Sequence, residues 1–323
     1  MLRLIGFPWY MSDKRDFMLY RQNSLEVLPT IPDCTVDMIF ADPPYFLSNG
    51  GSTCQSGKRV AVHKGEWDQS SGATENHEFN LNWLRECKRI LKPDGTMFVS
   101  GTHHVIFSIG FAMQQLDMKI LNDITWFKVN PPPNLACRYF THATESIIWA
   151  APSPQSRHYF DYHAMKEENG GKQMQSIWSI QSPRKHEKRF GRHPTQKPLE
   201  LLMRIVRAST RPGDLVLDPF SGSGTTGIAC ALLDRRFMGI ELDPEYLGIA
   251  KQRYLTLDEE LHVEERAKSF RKPAPLAART LKAPSPEAPG LFDGIKTPGL
   301  FPDAGGPDGK SDDDDKSPQP TLF

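Results

Sequence analysis

Short apolar runs ending in Gly, Pro or an acid alternate with longer stretches of helical spacing from Phe17 to about Glu260. Phe17–Tyr20, Val36–Ala41, Thr96–Ser100, Ile124–Val129, Ser146–Ala150, Leu215–Phe220 and Phe237–Glu241 read as strands. Val36–Ala41 and Leu215–Phe220 have the pattern of buried parallel strands. Helical spacing covers Asn82–Leu91, Val105–Leu116, Pro198–Thr210, Ile228–Leu233 and Pro244 to about Glu260. Ser24–Leu28 reads as a helical turn capped by Ser24. The helix from Asn82 stops at Lys92-Pro93-Asp94-Gly95, and Asn130-Pro131-Pro132-Pro133-Asn134 breaks the strand before it. Strands alternating with helices predict an α/β fold around an open sheet of a seven-stranded type.

Two segments lack such periodicity. Residues 48–72 are rich in Gly, Ser and Lys and include Lys58, Arg59, His63 and Lys64. They read as a long loop, either a functional lid or a solvated mobile segment, with Trp67-Asp68 as an anchor to the body. From Pro152 to Arg192 basic residues interleave with Tyr159, Phe160, Tyr162, Trp178 and Phe190.

Composition narrows the classes. The 323 residues carry 39 basic and 39 acidic side chains, so attraction to nucleic acid must come from local clusters. Cys34, Cys54, Cys87, Cys137 and Cys230 are odd in number and without metal-like spacing, as expected of reduced thiols. No run is long enough to span a membrane, and apolar Met1–Tyr10 is too short for a signal peptide, so the cytoplasm is the expected compartment. His103 and His104 are expected to point apart, with no carboxylate at ligand spacing, so no metal is expected. Residues 267–323 hold 10 of the 27 prolines and the acidic run Asp312–Asp315, and read as a disordered tail behind a folded domain spanning 1–266.

Two motifs carry candidate chemistry. Asp42-Pro43-Pro44-Tyr45 follows the strand Val36–Ala41, placing an acid, two carbonyls and a ring at the sheet's C-terminal edge, where open α/β sheets bind ligands. An exocyclic amine of a nucleobase is a poor nucleophile until acceptors hold its hydrogens. Asp42 and the Pro43 carbonyl suit that task, the Pro43-Pro44 pair stiffens the backbone that aims them, and Tyr45 suits stacking on a base taken out of its helix. The same quartet would also serve as a plain strand end with a core tyrosine. The second motif, Ser221-Gly222-Ser223-Gly224-Thr225-Thr226-Gly227, links the strand ending at Asp218-Pro219-Phe220 to a helix. Glu241 follows Gly222 by 19 residues, near the spacing at which an acid reaches ribose hydroxyls. The glycine motif lacks the lysine of a phosphate loop, so a ligand with adenosine and no phosphate, S-adenosylmethionine, fits it better.

Together these blocks, with His193-Pro194-Thr195-Gln196-Lys197-Pro198, resemble the β-class of DNA amino-methyltransferases over about residues 14–258. The resemblance implies a Rossmann-like, S-adenosylmethionine-dependent fold in circularly permuted order, catalytic half first. The Asp-first quartet implies adenine N6 as the target. Asp42, Pro43, Pro44 and Tyr45 are the implied catalytic residues. Asn23, Lys197, Asp218, Phe220, Gly222, Gly224, Thr225 and Glu241 are the candidate cofactor residues, with Lys197 closing over the methionine end and Asn23 standing where the class commonly has an aspartate. Phe40–Gly51 and Asn130–Glu145 look like the DpnII-type and, less closely, the HinfI-type members from restriction–modification systems, which implies a short site such as GATC, or GANTC.

In the β-class the target-recognition segment falls at about 130–192, and Arg184, Lys185, Lys188, Arg189 and Arg192 are the expected DNA contacts, on single- or double-stranded DNA. A homodimer is a further expected partner. The terminal Gln319, Leu322 and Phe323 resemble the peptide by which replication and repair proteins dock on the sliding clamp. Methylation of RNA or a protein amide, or DNA binding through an inactive cofactor fold, are the alternative readings.

Overall fold

The computed structural model describes residues 6–47, 52–55, 58–61, 68–131, 133–135 and 137–257. The strands are β1 (Tyr10–Met11), β2 (Phe17–Arg21), β3 (Val36–Ala41), β4 (Ser52–Gln55), β5 (Lys58–Ala61), β6 (Leu91–Gly101), β7 (Lys119–Phe127), β8 (Thr144–Ala151), β9 (Ile177–Ser179), β10 (Leu215–Asp218) and β11 (Arg236–Glu241). The helices are α1 (Ser24–Val27), α2 (Ala73–Ile90), α3 (Ile106–Gln115), α4 (Tyr162–Glu168), α5 (Leu199–Ser209), α6 (Thr225–Leu232) and α7 (Pro244–Leu255).

Nine strands form one sheet in the order β1-β2-β11-β10-β3-β6-β8-β7-β9. The run from β2 to β6 is parallel, and β8 pairs antiparallel with both β6 and β7. The sheet exceeds the seven expected strands by short edge strands β1 and β9, whose two and three residues are too few to show a period.

Alternation along the central strands splits the core into two layers. Ile39, Ala41, Leu215 and Leu217 face α1, α2 and α3 through Val27, Trp83, Leu84 and Ile109. Met38, Phe40 and Val216 face α5, α6 and α7 through Leu202, Ile205, Ile228 and Leu247. Covering both faces with helices is what permits the central strands to be apolar on both sides. Their register brings Asp42, Asp218 and Glu241 to one edge, since Leu217 pairs with Ile39 and Asp218 with Gly239.

Several boundaries differ from the sequence expectation. Helix α2 begins at Ala73, nine positions before Asn82, because its first turns are held by polar contacts: His77 Nδ1 lies 2.9 Å from Ser108 Oγ and Nε2 2.8 Å from Gln115 Oε1, both on α3. The cap of α1 is Asn23, which has extended backbone and accepts from Leu25 N at 3.0 Å, whereas Ser24 Oγ donates to the Pro219 carbonyl. Residues 48–72 are not one loop, since β4 and β5 form an antiparallel pair within them. The aperiodic interval 152–192 contains α4 and β9. Rings of His103 and His104 lie 3.9 Å apart rather than pointing away from each other, and His103 also stacks on His142 at 4.4 Å. His63, Lys64, Trp67, the tail 267–323 and with it Gln319, Leu322 and Phe323 lie outside the described residues.

Candidate active site

Asp42 leaves the end of β3 with a carboxylate that is almost out of solvent and fully engaged. Lys197 Nζ lies 2.5 Å from Oδ2, while Tyr45 Oη and Ser100 Oγ each donate to Oδ1 at 2.6 Å. Burial pushes the Asp42 carboxyl up, but the Lys197 charge and the three donors outweigh it and hold the group below its ordinary value. Burial opposes the charge on Lys197 in the same way, and Asp42 and Glu145 reverse the effect and raise the lysine.

The backbone after the proline pair is aimed by a buried residue that the sequence marks only as a loop anchor. Asp68 Oδ1 accepts from the Tyr45 and Phe46 amides at 2.8 Å, and Oδ2 accepts from Leu47 N at 3.2 Å. Phe46 has φ 58, a conformation that an aromatic residue adopts only under constraint, and the Asp68 carboxylate supplies it. Tyr45 was expected to present its ring to a base. Instead it is 5% exposed, its phenol turned inward to Asp42, because a buried carboxylate recruits the nearest donors.

Lys197 was expected at the cofactor, and the structure places it on the catalytic side, joining the two halves of the site. Its Nζ is 3.3 Å from Tyr45 Oη and 3.5 Å from Glu145 Oε2, and Glu145 is itself paired with Lys128. The loop carrying Lys197 is fixed by buried Glu187, which accepts from Arg184 N at 2.9 Å and Leu199 N at 2.8 Å, while its carbonyl accepts from Gln196 Nε2 at 2.8 Å. Glu145, which in the sequence reads either as lining a base pocket or as packing a turn, lies at the catalytic side. Ser100 and Glu187 are not marked by the sequence, since single polar residues whose partners lie far along the chain leave no spacing to read.

The glycine loop runs as expected from β10 into α6. Gly222 has φ 51, and a Cβ there would stand 2.9 Å from His193 Nε2; Gly224 has φ 73, and its Cβ would stand 2.6 Å from Ala250 Cβ. Arg253 of α7 pins the loop, donating to Ser223 O at 2.9 Å and Thr225 Oγ1 at 2.8 Å, so the Thr225 hydroxyl is turned to Arg253. Asp218 accepts from Phe220 N at 3.0 Å and Thr226 Oγ1 at 2.6 Å, and burial, with Asp42 and Glu241 nearby, pushes it up to about 7 against those two bonds. Glu241 accepts from the amides of Gly222, Leu242 and Asp243 at 2.8, 2.8 and 2.9 Å. Phe220 packs edge-on against Trp83 at 5.4 Å.

Between these elements lies a cavity of about 300 Å³ bounded by Asn23, Leu25, Asp42, Pro44, Phe79, His193, Phe220, Ile240, Glu241, Asp243 and Tyr246. Its walls are apolar and aromatic, its charged groups are carboxylates, and no lysine or arginine among the described residues lines it. A phosphate would meet three acids here, whereas a nucleoside with a cationic sulfonium finds apolar walls for the base and acids for hydroxyls and positive charge. The residues therefore fit S-adenosylmethionine. A smaller void next to it joins Lys197 and Asp42 to Gly222 and Thr225.

The basic cluster sits on the same loop as Lys197. Lys185, Arg189 and Arg192 are exposed and Arg184 and Lys188 half-buried. Arg189 Nη2 donates to Thr256 Oγ1 at 2.6 Å beyond α7, and its guanidinium lies 4.6 Å from the Phe190 ring. Among the described residues no group of three or more His, Cys, Asp or Glu could hold a metal ion.

Comparison with known proteins agrees with this geometry. A family model described as DNA methylase matches residues 36–252. The chain is 51% identical to the type II methyltransferase M2.DpnII of Streptococcus pneumoniae over 77% of its own length and 93% of the relative's. It is 49% identical to M2.MboI of Moraxella bovis over 76% and 90%, and 39% identical to M.HinfI of Haemophilus influenzae over 74% and 68%. Among solved structures it resembles the M1.HpyAVI complex with S-adenosylmethionine, with TM-score 0.57, 28% identity and coverage of 74% of this chain and 98% of that one. The PvuII cytosine-N4 DNA methyltransferase shares the fold, with TM-score 0.62 at 20% identity, over 81% and 95% of the two chains. Matched by the family model through both motifs and by relatives along three quarters of its length, the chain belongs to the DNA methylase family and is a DNA methyltransferase that uses S-adenosylmethionine.

Proposed function

We propose that this methyltransferase modifies adenine at N6 within a short DNA site, GATC, with GANTC as the second choice. The observation that carries the reading is Asp42, held ionised at the mouth of a cavity fitted to a cationic nucleoside. Adenine is favoured by the Asp-first quartet, and the site by the likeness to M2.DpnII and M2.MboI.

When bound, S-adenosylmethionine supplies an electrophilic methyl group. Gly222, Phe220 and Glu241 would hold its nucleoside, with Asn23, Asp218, Thr225 and Lys197 beside them, while Gly224 lets the loop turn closely against Ala250. Asp42 accepts one hydrogen of the target amine and the Pro43 carbonyl the other, which localises the nitrogen lone pair. With its proton affinity lowered by Lys197, Asp42 is a weak base for the neutral amine, so it takes the proton only from the cationic nitrogen left after transfer. Because Lys197, Tyr45 and Ser100 already occupy the carboxylate, entry of the amine displaces one of them, and Glu145 at 3.5 Å is the acceptor waiting for Lys197.

The wider organisation belongs to the same reading: a catalytic domain of residues 1–266 in circularly permuted order with target recognition at about 130–192, and a tail of 267–323. DNA contacts fall to Arg184, Lys185, Lys188, Arg189 and Arg192. A homodimer has an apolar face available in Phe107 and Phe111, 76% and 55% exposed and one turn apart on α3. Docking of Gln319, Leu322 and Phe323 on a sliding clamp rests on the sequence alone. No helix of the described residues is long and apolar enough to cross a membrane, and the cytoplasm is the proposed compartment.

The test is transfer of labelled methyl to unmodified DNA, followed by sequencing for N6-methyladenine. Asp42→Ala should abolish transfer with cofactor binding largely kept. Methyl recovered only in RNA or protein would sink the reading.

A further inference from the structure

Four aromatic rings outside the catalytic quartet form an exposed cluster beside it, in which His103 and His142 are stacked and the other two rings are tilted against them. His103 lies 3.9 Å from His104 and 4.4 Å from His142 with only 17° between the latter planes, and Tyr139 stands 5.6 Å beyond His142. All four are exposed, Tyr139 at 62%, and Phe140 next to it is 96% exposed. Soluble proteins rarely leave so many rings uncovered together without something to cover them.

Their place in the fold says what covers them. His103 follows Ser100 by three residues, and His142 precedes Glu145 by three; Ser100 bonds Asp42, and Glu145 lies 3.5 Å from the Tyr45 phenol. Because Gly101 pairs with Ser146, the turn after β6 and the segment entering β8 leave the sheet side by side at the catalytic edge. The segment is a built turn: Asn134 Nδ2 donates to Tyr139 O at 2.6 Å, and Lys128 N to Ala143 O at 2.8 Å. Arg138, also exposed, adjoins it.

We propose that His103, His104, His142 and Tyr139 are a stacking platform for a base of the DNA strand next to the target nucleotide. This rests on the reading of the protein as a methyltransferase of a DNA base. Flat rings suit a nucleobase because every base has a π-face, and exposed Arg138, the residue before Tyr139, supplies a cation for the adjoining phosphate. Burial, together with the charges of His104 and His142, lowers the affinity of His103 for a proton, so its ring is uncharged at neutral pH and stacks as an aromatic.

The test places 2-aminopurine at each position flanking the target in short DNA and compares the full-length protein with His103→Ala/His142→Ala and His103→Phe/His142→Phe. In the wild type one flanking position should lose fluorescence on binding. The alanine pair should lose that quench and raise the KM for DNA about 5- to 100-fold, as for loss of one or more base stacks, with cofactor affinity unchanged. The phenylalanine pair should retain quench and KM. An alanine pair indistinguishable from wild type, or a phenylalanine pair no better than alanine, overturns the platform. The fluorescence needs no methyl transfer, so a protein that quenches the probe yet methylates no DNA would refute the catalytic reading and leave the platform standing.

Discussion

Lys197 Nζ sits 2.5 Å from Asp42 Oδ2, although 155 residues separate them, and this contact ties the loop before α5 to the end of β3. Without that cation, the burial that raises Asp42 loses its main opponent. Lys197→Met should therefore shift the acid limb of the pH–rate profile for kcat/KM to higher pH and lower the rate about 10- to 100-fold at neutral pH. An unchanged acid limb would show that Asp42 does not depend on Lys197 for its charge.

Asp68 holds the end of the quartet through the amides of Tyr45, Phe46 and Leu47. Removing its carboxylate leaves three amides without an acceptor and releases Phe46 from φ 58. Asp68→Ala should cost about 1.5–3 kcal/mol of stability, measured by urea denaturation, and lower kcat more than it changes cofactor affinity. Equal losses in both would place Asp68 in the cofactor site instead.

The titration of Asp218 runs opposite to that of Asp42. Its folded value of about 7 exceeds the ordinary 3.8, so between the two the native state binds a proton that the unfolded chain has released. Its contribution to stability therefore falls as pH rises from about 4 to about 7 and stays low above that. Asp218→Asn should flatten that fall in the cofactor-free protein, read from urea midpoints at pH 5 and pH 8. Parallel midpoints for the two proteins would remove Asp218 as the cause.

Gly222→Val places a branched side chain at φ 51, where even its Cβ meets His193, and should weaken cofactor binding by at least about tenfold by calorimetry while DNA binding persists. Wild-type cofactor affinity in this variant would mean that the loop does not approach the ligand.

Neutralising Lys185 and Arg192 should weaken DNA binding and reduce the slope of log K against log salt by roughly one unit for each phosphate left without its cation. Arg189 is a poorer choice for this test because it also holds Thr256. A salt slope unchanged in the double variant would make the cluster an ordinary solvated surface.

The strands around the site were legible because a parallel strand buried on both faces shows as an apolar run, and because Pro43 and Gly222 follow the runs Val36–Ala41 and Leu215–Phe220, the second of which ends two residues earlier, at Asp218, in the structure. The first turns of α2 were not, since His77 and Asn76 substitute hydrogen bonds for the apolar spacing that reveals a helix. Asn23 and Ser24 are equally good capping residue types, and only the extended backbone at Asn23, with φ −71 and ψ 128, decides between them. Lys197 is evident from its motif but its neighbours are not, because nothing local to residues 193–198 points to Asp42 or Glu145.

The pairing of β3 with β10 also governs when the enzyme can exist during synthesis. Asp37 on β3 bonds Lys92 Nζ at 2.6 Å through one oxygen and Leu215 N at 2.9 Å through the other. A ribosome that has made residues up to Ser209 has supplied the catalytic quartet, but the strand carrying it still has one unpaired edge and half of a clip. Until Leu215–Asp218 emerges, that edge is an open template for another chain, and the nascent protein depends on chaperones or on speed rather than on its own sheet.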